Sequence, residues 1–319
     1  MKIFITGVTG FVGGMLANKF IEAGFEVTGL GRKENLPLHV DKRCIYIKND
    51  ITKPISEITA DIVIHAAAQV NDNASYQNHY DNNVTGTANV VNACKYKNCL
   101  FILISTSSVY SFKKNTAYSE DEAGKPFEAL SSYGKTKFLA EQIVINTTYL
   151  NRKIILRPRA IYGPGDTVLL PRLLRLVKNN FIILPQHIST QISLTHINNL
   201  MDAVKNCFSL KPEGTFIFNV ADYTIYSLKK AVPTLIKSTI ERKLNVVFIP
   251  KLLWNLFVKF NSVFHLIPEL TCFGSKQLTQ IAILNTTFIK TKLSHNPSYN
   301  FYTSLKTKDK KNKKELPIQ

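Results

Sequence analysis

The sequence predicts an α/β chain built on a doubly wound parallel sheet, and three observations lead there. The first is a short β-rich run, Lys2–Thr6, that ends in a glycine turn, Gly7-Val8-Thr9-Gly10-Phe11-Val12-Gly13. A helix is expected directly after it, over Gly14–Ala23. The second is the unbroken apolar character of segments such as Asp61–Ile64 and Leu100–Ile104, as expected of strands covered on both faces. The third is the helical spacing between such runs, with Phe138, Leu139, Ile143 and Val144 as the clearest case.

Composition agrees with a folded chain. The 319 residues can bury a large core in one large or two intimate domains, and 45% hydrophobic with 19% charged residues fits a globular protein. No run reaches the roughly 20 apolar residues of a membrane span. Met1-Lys2 leads straight into Ile3-Phe4-Ile5, so no secretory signal is expected. Cys44, Cys94, Cys99, Cys207 and Cys272 are odd in number and never spaced Cys-x-x-Cys, which suits thiols in a reducing cytoplasm. The seven histidines lack ligand spacing, and no metal is expected. A formal charge of +18 raises nucleic acid as a partner. Lysine dominates the excess, is spread along the chain and crowds Lys306 to Lys314, without an aromatic-interleaved basic stripe. A solvated lysine-rich surface is the preferred reading, and one that still attracts anionic cofactors, substrates or lipid head groups.

A strand, a glycine turn and a helix in succession form the setting in which a dinucleotide binds. Gly7 makes the tight turn, Gly10 admits a pyrophosphate to the backbone, and Gly13 lets helix and strand pack closely. The next strand, Glu26–Leu30, ends at Gly31-Arg32-Lys33, where an acidic side chain would hold an adenosine 2′-hydroxyl. A small residue followed by a guanidinium suits a 2′-phosphate, so NADP is favoured over NAD; the alternative is a solvent-facing Arg32. A third strand, Cys44–Ile47, leads to Asp50-Ile51. Asp61–Ile64 enters His65-Ala66-Ala67-Ala68, whose small residues let a cofactor lie against the sheet edge, with His65 a structural part of the turn. A helix begins at Asn83–Thr87 and runs to Ala93 or Cys94. Leu100–Ile104 then delivers Ser105-Thr106-Ser107-Ser108-Val109-Tyr110 at its carboxyl end, where open α/β sheets bind ligands.

Within Ser131–Gln142, Tyr133 and Lys137 stand four residues apart, one turn from each other on a helix. An ammonium beside a phenol favours phenolate and draws the tyrosine down from about 10. Tyr133 is therefore a candidate proton carrier for a carbonyl/alcohol pair.

On these residues the chain resembles the extended short-chain dehydrogenases/reductases of the NAD-dependent epimerase/dehydratase superfamily. The resemblance implies a Rossmann fold with a catalytic trio of Thr106, Tyr133 and Lys137: Thr106 bonds the reacting oxygen, and Lys137 holds the nicotinamide ribose. It implies cofactor contacts from Gly7, Thr9, Gly10, Phe11, Val12 and Gly13 in the first turn, and from Arg32, Asp50 and Ile51. Ala66, Ala67, Ala68, Tyr133, Lys137 and Pro158 complete them. Ser107, Ser108 and Tyr162 are expected to line the substrate. Arg157–Asp166 resembles the family's R-P-x-x-x-[YW]-G-P-G-D segment, and Leu194–Asn199 resembles its return to the cofactor domain. The domains are thus expected to interleave: 1–165 and 195–222 for the cofactor, 166–194 and 223–303 as a smaller C-terminal substrate domain. Residues 304–319 are expected to be a disordered lysine-rich tail.

Within that family, Ser107 and Ser108 stand where dehydratases carry Asp-Glu, and Ile192 replaces an arginine that grips a substrate diphosphate in many sugar-nucleotide enzymes. Arg157–Leu174 and Pro268–Gly274 resemble the bacterial 3β-hydroxysteroid dehydrogenase-like enzymes, including 2-alkyl-3-oxoalkanoate reductases. An NAD(P)-dependent oxidoreductase of a hydrophobic 3-oxo/3-hydroxy compound is expected. The alternative is a nucleotide-sugar epimerase or 4-keto reductase; a cofactor-binding regulator without catalysis is disfavoured by the complete trio. A homodimer is expected by analogy with the family, and a cytoplasmic location from the cysteine usage. One amphipathic segment, Lys251–Ile267, leaves two readings open. Its face of Leu252, Leu253, Leu256, Phe257, Phe260, Val263, Phe264 and Ile267 either packs on the substrate domain, where it roofs an apolar pocket, or dips into the inner face of a membrane.

Overall fold

Seven parallel strands form the sheet that positions everything else, as seen in the computed structural model. It describes residues 1–71, 73–94, 98–112, 116–189, 191–210, 213–237, 244–264 and 272–302. In chain order, β1 (Lys2–Thr6), α1 (Phe11–Glu22), β2 (Glu26–Gly31), β3 (Ile45–Lys48) and β4 (Ile62–His65) come first. A short α2 (Tyr76–Tyr80) passes through a wide π-type turn at Asp81–Thr85 into α3 (Gly86–Ala93). Next are β5 (Leu100–Ile104), α4 (Ser132–Asn146), β6 (Arg152–Pro158), β7 (Ile161–Tyr162) and α5 (Leu169–Arg175). They are followed by β8 (Val177–Lys178), β9 (Phe181–Pro185), β10 (Thr195–His196), α6 (Ile197–Cys207) and β11 (Gly214–Val220). The last elements are α7 (Leu228–Lys237), β12 (Asn245–Ile249), α8 (Lys251–Phe264), α9 (Cys272–Thr279) and α10 (Thr287–Leu293).

The large sheet has the order β11-β6-β5-β4-β1-β2-β3. Its order reverses between β1 and β4, which opens the crevice where ligands of such sheets bind. The unbroken apolar runs have a direct cause: alternate residues enter two different cores. Ile3, Ile5, Ile62, Ile64 and Ile102 point into one, while Phe4, Val63, Phe101 and Leu103 point into the other.

The expected elements are present with shifted ends. The first helix starts at Phe11, three residues early, so Gly13 and Gly14 lie inside it. A Cβ on Gly13 would sit 2.3 Å from the Gly7 carbonyl oxygen, so only glycine allows this approach of helix to turn. The last strand of the large sheet runs from Gly214 to Val220, inside the 195–222 stretch expected to return to the cofactor domain.

A second, three-stranded sheet of order β12-β9-β8 had no counterpart in the sequence reading. Ile182 and Leu184 of β9 face Val232, Leu235 and Ile236 of α7 in a separate core. The small β7–β10 pair joins the two parts, with Thr195 opposite Ile161. The expected tail 304–319, and 265–271 within the Lys251–Ile267 and Pro268–Gly274 segments, lie outside the described residues. Among the described residues no helix is long and apolar enough to cross a membrane.

Candidate active site

A cavity of about 540 Å³ opens at the carboxyl ends of β1, β4 and β5. Gly7, Gly10, Phe11, Val12 and Gly13 of the first turn form one end of it, with Ala66 and Ala68 beside them. Gly7 has φ +74, and a Cβ there would press on the Ala67 backbone nitrogen at 2.7 Å. The turn is therefore a backbone cradle that side chains would fill, and it fits the diphosphate of a dinucleotide at a helix N-terminus. His65, behind it, is core: its ring lies between Thr6 Oγ1 (2.6 Å) and Thr87 Oγ1 (3.0 Å). Burial, with the charge of Lys137, draws it down to about 3, so it stays neutral.

The middle of the cavity wall is Thr106, Ser107, Ser108, Tyr133 and Pro158. Thr106 leaves β5 in an extended conformation, and its Oγ1 accepts from the Ser108 amide at 3.1 Å. Helix α4 starts one residue before Tyr133 because Ser131 caps it, its Oγ accepting from Gly134 N at 3.1 Å. Gly134 lets the helix close on this strand end: a Cβ there would stand 2.2 Å from the Ser108 carbonyl oxygen. The Tyr133 ring lies 5.9 Å from that of His79. One turn on, Lys137 is 1% exposed, and its Nζ donates to the Ile104 carbonyl at 2.8 Å. Burial lowers it to about 8, opposed by the carboxylate of Glu141.

Behind this wall lies a buried polar network that the sequence reading missed. Glu141 follows Lys137 by one more turn; its Oε1 accepts from Ser105 Oγ (2.5 Å) and from Arg157 Nε (3.0 Å). A second Arg157 nitrogen meets Glu141 Oε2 at 2.7 Å, and another donates to Tyr110 Oη at 2.9 Å. Asn83 ties the loop after β4 to α4, accepting from Gln69 N (2.8 Å) and donating to Thr136 Oγ1 (3.1 Å). Arg159, also unforeseen, belongs to the cavity wall although only 7% exposed, and its guanidinium stands 4.9 Å from the Phe112 ring. Burial lowers it to about 10. The available signal was the i, i+4, i+8 spacing of Tyr133, Lys137 and Glu141 on one helix face.

Two residues expected at the site do not line the cavity. Tyr162 is buried away from the cavity, its hydroxyl donating to Asp222 Oδ2 at 2.6 Å in a cluster with Tyr226. Ile51 is also core, held so tightly under α3 that a Cβ on Gly86 would lie 2.6 Å from it. Arg32 and Asp50 instead line a separate polar depression of about 450 Å³ with Asn78, Asp81, Asn82 and Thr85. Arg32 reaches Asn82 Oδ1 at 3.4 Å, and Asp50 Oδ1 is engaged by Thr52 N at 3.0 Å. Thr9 fills the space beside Gly31, where a Cβ would meet its Cγ2 at 2.5 Å. An acidic side chain at position 31 has no room without moving Thr9.

Beyond the glycine turn and Tyr133, the cavity continues between apolar side chains: Leu169, Leu173, Leu176, Ile192, Val232 and Leu278. Two cations, Arg172 and Arg175, also belong to this part.

The model of the NAD dependent epimerase/dehydratase family matches residues 3–221. The chain is similar to a 2-alkyl-3-oxoalkanoate reductase of Stenotrophomonas maltophilia, 32% identical over 209 residues that cover 62% of each protein. It is also similar to a decarboxylating sterol-4-alpha-carboxylate 3-dehydrogenase of Saccharomyces cerevisiae, 26% identical over 249 residues, or 72% of this chain and 65% of that one. The chain thus spans just under two thirds of the length of these curated relatives. Among solved structures, a UDP-glucuronic acid 4-epimerase from Bacillus cereus in complex with NAD superposes with a TM-score of 0.72. It shares 21% identity, and 96% of each chain is covered.

Proposed function

The chain belongs to the NAD dependent epimerase/dehydratase family, and from that premise we propose that it interconverts a ketone and an alcohol on a hydrophobic 3-oxo/3-hydroxy acid, with NADP as cosubstrate. One observation carries the reading: a single cavity runs from the glycine cradle past Thr106 and Tyr133 into a wall of leucine, isoleucine and valine. When bound, the nicotinamide supplies or takes the hydride. Tyr133 gives its phenolic proton to the ketone oxygen in reduction and takes it back in oxidation. Thr106 bonds the same oxygen, and Lys137, one turn from Tyr133, stabilises the phenolate that proton transfer leaves. Ser107 and Ser108 offer no acid/base pair for dehydration.

Arg159 suggests the acid. A buried cation in an apolar wall favours a substrate anion, because a charge-assisted pair is stronger away from water. Both relatives are named for a carboxylate close to an oxidised or reduced carbon. The test is NADPH oxidation against long-chain β-keto acids, ketosteroids without a carboxylate and keto-sugar nucleotides. Turnover of the β-keto acids is expected, and Arg159→Met should raise KM for them about tenfold or more while leaving neutral ketones unaffected. Equal losses on both would remove Arg159 from substrate recognition. Arg172 and Arg175 favour a second reading, a diphosphate-bearing sugar nucleotide, and preferential turnover of that substrate would establish it.

The depression around Arg32 supports NADP, since Gly31 is pressed by Thr9 and Arg32 is the cation in its lining. Asp50 and Asp81 in the same wall oppose a phosphate, which makes Arg32 the deciding group. Arg32→Ala is expected to weaken NADP by roughly ten- to a hundredfold, or about 1.5–3 kcal/mol, with NAD affinity nearly unchanged. Equal wild-type affinities for NAD and NADP would overturn this assignment.

A further inference from the structure

Helix α8 is seated by a narrow stripe that was not the one expected. Trp254, Val258 and Asn261, spaced four and three residues apart, are buried. Trp254 Nε1 donates to Ser275 Oγ of α9 at 2.7 Å. The broad apolar face read from the sequence does not pack inward as a whole. Leu252, Leu253, Leu256 and Phe260 are 72%, 52%, 56% and 51% exposed. On a helical wheel these four occupy an arc of about 100°, with Lys259, Asn255 and Lys251 following on one side. The adjacent small sheet repeats the pattern: Ile183 and Val247 are register partners, and both are exposed, as is Phe181. Among the described residues, seven of the nineteen exposed large hydrophobic side chains fall in this one unit, so the patch is not the ordinary scatter of single side chains.

Charge is distributed with the same bias. Residues 167–194 and 223–302 carry thirteen Lys and Arg, against only Glu241 and Glu269. The excess of +18 is therefore concentrated in this part and the tail, which corrects the impression that it is spread evenly. An apolar helix face rimmed by lysine, in a region almost without acids, complements a surface that is apolar below and anionic above.

We propose that α8 docks this protein on an anionic lipid bilayer. The helix lies in the membrane plane, with Leu252, Leu253, Leu256 and Phe260 at the headgroup/acyl boundary and the lysines among the head groups. The inner stripe adds a consequence, since Trp254 and Val258 pack with Leu176 and Leu278, and both of those line the cavity. Docking sets that end of the cavity against lipid, so an acyl or polycyclic substrate exchanges without crossing bulk water. This surface does not depend on the redox reading, and its test uses no activity assay.

The experiment is flotation of the full chain with vesicles of phosphatidylcholine alone or mixed with phosphatidylglycerol. Wild type is expected to float with the anionic vesicles, at least tenfold better than with neutral ones, and to be released at high salt. Leu253→Asp together with Leu256→Asp changes only exposed positions, and should abolish flotation with an unchanged melting temperature. Lys251→Glu together with Lys259→Glu leaves the apolar arc intact and should weaken anionic binding alone. Wild type that stays with the soluble fraction overturns the proposal, as does a leucine variant that floats like wild type. A wild-type dimer broken by the leucine variant, without flotation, would assign the face to a second copy of the chain and overturn it equally.

Discussion

Replacing Tyr133 by Phe is expected to cut turnover by about a hundredfold or more while leaving the fold and cofactor affinity intact. The ring stays in place against His79 and at the cavity wall, and only the transferable proton is lost. The pH profile carries an independent signature. Lys137 is lowered to about 8 by burial, so its ammonium is lost just above neutrality. Proton donation by Tyr133 builds negative charge on the phenol, and a neutral Lys137 no longer stabilises it. In the reductive direction kcat/KM should therefore be level below about 8 and fall with rising pH above it. Lys137→Met should flatten that limb at a uniformly low rate. Near-wild-type turnover of Tyr133→Phe, or a wild-type profile with no alkaline fall, would take the proton-carrier role from this pair.

What could be read from the sequence was local. The glycine turn carries its function in a seven-residue spacing, and Tyr133 and Lys137 meet because one helical turn separates them. The strands of the large sheet were legible because burial on both faces leaves unbroken apolar runs. The small sheet was not: β8 has only two residues before the Asn179-Asn180 turn that pairs it with β9, and β12 comes about sixty residues after β9. Helix α8 shows a different limit. Its wheel has an exposed arc and a buried stripe, both apolar, and only the partners of Trp254 decide which one faces inward. Nothing local in the sequence marks Glu141 on its helix face or Arg159 at its strand end as buried, since each is buried by elements distant in the chain. Tyr162 was drawn towards the substrate by its motif, whereas Asp222, sixty residues on, holds its hydroxyl in the core.

The largest expected loss of stability lies in the pair behind the catalytic wall. Arg157 and Glu141 have side chains 3% and 0% exposed, joined at 2.7 Å. Burial alone would lower Arg157, but the Glu141 carboxylate more than offsets it and the guanidinium is held above its ordinary value. Neither partner can be hydrated if the other is removed. Arg157→Leu or Glu141→Leu should each cost about 3–5 kcal/mol, a large share of a total of about 5–15 kcal/mol. The double variant Glu141→Leu/Arg157→Leu leaves no orphaned charge and should recover half or more of either loss, since isolated charge, not the missing bond, is the main penalty. Urea unfolding of the four proteins measures this as midpoint shifts at constant slope. Turnover should separate from stability in the double variant. Ser105 loses its acceptor on Glu141, and the adjoining Thr106 is no longer held at its strand end, so the refolded core is expected to remain a slower catalyst. Single variants within about 1 kcal/mol of wild type, a range typical of exposed ion pairs, would show that water reaches the pair and that Ser105 is positioned by something else.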